Sequence, residues 1–82
     1  MQKWYGSMPK LPQVTGAEVV RAFERSGFQL DRISGSHHIL KRDFHPFNLS
    51  VPVHGNKSIP SGTLRALIRD SGLTVEEFTA LL

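Results

Sequence analysis

The stretch "FQLDRISGSHHILKRDF", residues 28–44, decides the fold. Both flanks have strand character, and Ser34-Gly35-Ser36 between them is a turn signal. The stretch therefore reads as two strands joined by a tight turn. Two of the chain's four histidines, His37 and His38, open the second strand. Adjacent strand residues point to opposite faces. One imidazole is expected across the open face of a sheet, and the other toward whatever covers its back.

Downstream, Pro46 and its neighbours end the second strand. In "NLSVPVH" (48–54), Leu49, Val51 and Val53 alternate with Ser50, Pro52 and His54, a period of 2 that predicts a third strand. Pro52 cannot donate to a ladder, so this strand belongs at an edge or a bulge. Strand parity puts His54 on the open face. After the loop "HGNKSIPSG" (54–62), a helix is expected over 61–71, with Leu64, Leu67 and Ile68 as its apolar face and Gly72 as its stop. Thr74 and Glu77 form a capping box for a short third helix, docked by Val75, Phe78 and Leu82.

Upstream, "TGAEVVRAFERSGF" (15–28) is a punctuated helix. Thr15 and Glu18 cap it, Val19, Val20, Ala22 and Phe23 make its buried stripe, and Gly27 ends it so that Phe28 packs back. Residues 1–13 show no periodicity and are expected to be a leader or flexible N-terminal extension, leaving 14–82 as a single domain. The order is α-β-β-β-α(-α). The fold class is α+β: a three-stranded antiparallel sheet with helices on one face and the other face open.

Composition narrows the function. The chain has 82 residues, 39% hydrophobic and 21% charged, in the range of one small globular domain. It has no cysteine, which removes disulfides, thiolate nucleophiles and Cys-based zinc sites and fits a cytoplasmic protein. Its apolar runs are too short to span a membrane. The net charge of +3 leans toward anionic partners.

The histidines carry the chemistry. His37, His38, His45 and His54, with Asp43, are nominally enough for a metal, but neighbours on a strand diverge and metal-ligand spacing is absent. No metal or cofactor is expected. An imidazole titrates near neutral pH, at about 6.5, and can give or take a proton there. RNA brings its own nucleophile, the 2′-hydroxyl, so a small protein can cleave it with proton-transfer groups and cations that hold the phosphate. The candidate cations are Lys41, Arg42, Lys57 and Arg65. Ser36 could bond a phosphate or orient a ring, and Gly35 serves the turn. The plain alternative is that these histidines are half-buried structural groups and the cations a solvated surface.

Gly27-Phe28 after the first helix, then "GSHHIL" (35–40), "VPVH" (51–54) and "IPSGTLRALIRDSGLT" (59–74), together resemble the HicA (YcfA-like) toxin family over residues 14–82. The resemblance implies a fold like a double-stranded-RNA-binding domain. It implies a metal-independent RNA endonuclease, an mRNA interferase of a type II toxin–antitoxin system. The implied partners are mRNA and a HicB-like antitoxin that covers the site, with no membrane and no DNA contact by the toxin alone. It places the catalytic histidine at His37, with His38 as the fallback, and aligns His54 with the Val-Pro-x-His position. The rival is a non-catalytic RNA-binding-like or antitoxin-binding module. Classical RNA-binding versions carry a Lys-rich start to the last helix, whereas this chain has "IPSGTLRAL" there with a single Arg.

Overall fold

Helix α1 (Gly16–Arg25) is fixed at both ends by its own sequence. The Thr15 side chain accepts from the Glu18 N–H, and the Glu18 carboxylate accepts from the Thr15 N–H at 2.8 Å. At the other end the Gly27 N–H donates to the Glu24 carbonyl (3.0 Å) and the Phe28 N–H to the Phe23 carbonyl (3.1 Å). With Gly27 at φ 110, this is a Schellman stop that throws Phe28 back onto Phe23, ring centroids 5.9 Å apart. The computed structural model describes residues 10–82 of the chain. Most of the expected leader, residues 1–9, lies outside them; Leu11 already packs against the core.

Three strands follow: β1 (Gln29–Ser34), β2 (His37–Lys41) and β3 (Leu49–Pro52), antiparallel in the order β1-β2-β3. In the first pair Ser34 lies opposite His37, Ile33 opposite His38 and Leu30 opposite Leu40, with a bulge between Leu30 and Arg32. In the second, His37 lies opposite Pro52, His38 opposite Val51 and Leu40 opposite Leu49. Directly opposed residues share a face. Leu40, Leu49 and Val51 are buried, so theirs is the core face. His37, Ile39, Lys41, Ser50 and Pro52 make the other, open face. Pro52 ends an edge strand, where its missing N–H costs nothing.

Helices α2 (Ser61–Ser71) and α3 (Val75–Ala80) complete the order α-β-β-β-α-α. Leu64, Leu67 and Ile68 of α2 are buried, and Gly72 at φ 83 turns the chain out of the helix. Thr74 and Glu77 close the capping box of α3. Phe78 inserts beside Phe23, centroids 5.2 Å apart. Leu81, rather than the expected Leu82, packs on the core, because α3 is capped at Leu81 and Leu82 has left the helix.

One glycine sets how closely α1 sits on the sheet. A Cβ on Gly16 would lie 2.2 Å from the Pro52 carbonyl oxygen and 2.9 Å from the Val53 Cα. The first turn of α1 thus rests on the end of β3, opposite His37.

Candidate functional site

The β1–β2 hairpin has a two-residue turn, Gly35-Ser36, with Gly35 at φ 60 in its first central position. A type II′ turn has that pattern, and its twist matches the flanking strands. The turn fixes the pairs that follow. His37 stands first on β2, exposed, on the open face. His38, half-buried, points to the core face between Ile33 and Val51. The two imidazoles diverge, as strand parity requires.

Across from His37, Pro52 leads into a cleft of about 230 Å³ that is also lined by His54, Lys57, Ser58, Ile59, Pro60 and Thr63. His54 lies beyond the end of β3, so its place follows from the turn and not from strand parity. The Lys57 N–H donates to the His54 carbonyl at 3.0 Å, and this turn, with Gly55 at φ 56, presents both residues to solvent. The Ser36 carbonyl accepts the Val53 N–H at 2.7 Å, tying the hairpin tip to the rim of the cleft. α2 begins beside the cleft with no side-chain cap and no acidic residue in its first turn. The cleft that Lys57 lines thus also takes in Thr63, in the first turn of α2, where the helix carries partial positive charge.

Of the four expected cations, Lys57 lies in the cleft wall and Arg65 is exposed on α2. Lys41 stands on the open face, roughly 13 Å along β2 from His37 at about 3.3 Å per residue. Its Nζ lies 3.3 Å from the Asp31 carboxylate, which Arg32 also holds. These hydrogen bonds, from Arg32 first and then Lys41, keep the Asp31 carboxyl below the usual carboxylate range.

Arg42, expected to hold a phosphate, is engaged within the fold. Its guanidinium donates to the Ser26 carbonyl (3.2 Å), approaches the Ser71 carbonyl (3.5 Å) and lies 4.5 Å from the Phe28 ring centroid. It also bonds His45 Nδ1 at 3.1 Å, while His45 Nε2 donates to the Asp70 carbonyl at 2.6 Å. Arg donates only, so Nδ1 accepts and the proton sits on Nε2. Arg42 and His45 together clasp the C-terminal ends of α1 and α2, where positive charge suits the helix dipoles.

Two features were missed in the sequence. Arg32 lies opposite Ile39 on the open face, diagonal to His37 and closer to it than Lys41 is. The Gly-Ser turn alone was enough to place it, by counting pairs outward. Phe44 is fully exposed and has φ 63, the one positive φ outside glycine among the described residues. No local signal announces it.

Among the described residues, no three His, Cys, Asp and Glu side chains gather into a group that could hold a metal ion. No described helix is long and apolar enough to cross a membrane. The class defined by the fold is a small α+β domain in which, among the described residues, the open sheet face carries the exposed His37 with Arg32 and Lys41 along it. A family model described as HicA toxin of bacterial toxin-antitoxin matches residues 16–73, and the chain belongs to that family. Comparison with curated proteins gives no match.

Proposed function

We propose that the chain is a toxin that cleaves RNA, with His37 transferring a proton in the reaction. The observation that carries this reading is the placement of His37: exposed on the open face, directly across from Pro52 at the mouth of the His54–Lys57 cleft. Membership in a toxin family agrees with it.

In the reaction, the ribose 2′-oxygen attacks the adjacent phosphorus as the P–O5′ bond breaks. A base takes the 2′-hydroxyl proton and an acid delivers one to the departing 5′-oxygen, leaving a 2′,3′-cyclic phosphate and a free 5′-hydroxyl. His37 serves one of these transfers and His54, across Pro52, the other. An imidazole carries both a donor and an acceptor nitrogen, so either ring can give or take the proton. Arg32 and Lys57 hold the phosphate and offset the charge that builds on its oxygens, with Lys41 and Arg65 farther along the strand's path. The antitoxin partner implied by the family acts by covering this face.

The test is an RNA oligonucleotide containing a site that the protein cleaves, and the same oligonucleotide with a single 2′-deoxy nucleotide 5′ to the scissile phosphate. Cleavage of the first to a cyclic phosphate and no cleavage of the second supports the reading. Equal cleavage of both means that water is the nucleophile and removes it.

A further inference from the structure

β1 is a free edge. β2 pairs one of its sides, and among the described residues nothing pairs the other. All six of its residues are exposed. Leu30 and Ile33 are 43% and 57% exposed, although both oppose core-facing residues of β2. An uncovered apolar pair on an unpaired edge is a template for another strand.

The strand "QLDRIS" complements itself when reversed. An antiparallel copy related by a two-fold axis between Asp31 and Arg32 sets Leu30 against Ile33 of the second copy, Asp31 against Arg32, and Gln29 against Ser34. Apolar meets apolar, and each acid meets a base. Opposed residues must also share a face. In a regular strand Leu30 and Ile33, three apart, would lie on opposite faces, and the pairing would fail. The bulge at Asp31 removes that obstacle: Leu30 opposes Leu40 and Ile33 opposes His38, both on the core face. Asp31 and Arg32 both reach the open face, where Asp31 also meets Lys41.

We propose that the chain associates with a second copy of itself through β1, joining two sheets into one of six strands. The axis stands perpendicular to the sheet, so both open faces, and both copies of His37, look the same way. Six residues bury less than the roughly 1,200 Å² of a standard stable interface, and the bulge interrupts the ladder at its centre, so the dimer is a weak one. The proposal stands on the pattern of β1 and does not rest on RNA cleavage.

Sedimentation equilibrium of the full chain, from about 5 to about 500 µM, reads it directly. The expected result is a monomer–dimer equilibrium within that range. Asp31→Arg and Arg32→Asp each weaken the dimer at least about tenfold, because like charges then face each other. A 1:1 mixture of the two variants recovers it, because the mixed pair is complementary. The double variant Asp31→Arg/Arg32→Asp, which only exchanges the charges, also dimerises and keeps the test decisive should one single variant unfold. A chain that stays monomeric throughout overturns the proposal, as does a dimer that charge reversal leaves unmoved. Variants that lose only antitoxin binding assign the edge to that partner and overturn it too.

Discussion

His37 and His38 are neighbours in the chain and lie on opposite faces of β2, His37 across from Pro52 on the open face and His38 across from Val51 on the core face. One residue of register separates an exposed side chain from one that packs. Their substitutions must therefore differ in kind.

His38→Ala is expected to lower stability by about 1 kcal/mol, the usual cost of trimming a half-buried side chain, while RNA cleavage persists. Urea unfolding and a cleavage assay on the same preparation check both halves. Loss of cleavage with unchanged stability would move the chemistry to His38.

Arg42 and Lys57 are separated in the same way. Arg42→Ala removes the clasp on the ends of α1 and α2 and should cost about 2–3 kcal/mol, leaving the salt dependence of RNA binding almost unchanged. Lys57→Ala should leave stability within about 0.5 kcal/mol of wild type and reduce the salt slope of RNA binding by about one. Binding titrations at several salt concentrations, beside urea unfolding, distinguish them.

Gly16→Ala drives a methyl into the Pro52 carbonyl. The first turn of α1 must lift from β3, at a cost of about 1–3 kcal/mol. Since Pro52 opposes His37, the shift reaches the site. Lower stability together with slower cleavage is the expected outcome, measured by thermal unfolding and by rate at a temperature where the variant is folded.

Acid should destabilise the fold. The Glu18 carboxyl is held below the usual range by the Thr15 backbone N–H first, then the Thr15 hydroxyl; Asp31 is held down by Arg32 and Lys41. A depressed folded-state value gives stability that is complete above the unfolded value, about 4, and lost as pH falls through the folded one. Tm should therefore drop as pH is lowered from about 5 to below about 4, and Glu18→Gln should show a smaller drop over that window. A Tm that rises on acidification would contradict it.

The parts of the fold that local chemistry determines could be read from sequence. Two capping boxes, a Schellman glycine and a two-residue Gly-Ser turn each act within a few residues, so element order, helix ends and the divergence of His37 and His38 were all legible. What depends on distant contacts was not. Arg42 finds Ser26 and Ser71, 16 and 29 residues away, and nothing near it in sequence separates a helix clasp from a phosphate contact. His54 seemed placed by strand parity, but β3 stops at Pro52 and the Gly55 turn takes over. The bulge at Asp31 breaks the alternation of β1 and could not be seen from its period.

The most direct measurement compares purified wild type with His37→Ala on the same RNA, after matching far-UV circular dichroism and Tm establish that both are folded. His37 is exposed, so its loss should leave the fold intact. The expected result is cleavage by wild type and a fall of at least about a hundredfold in the variant, the contribution of one general acid or base. A folded variant that cleaves at the wild-type rate would contradict the role of His37.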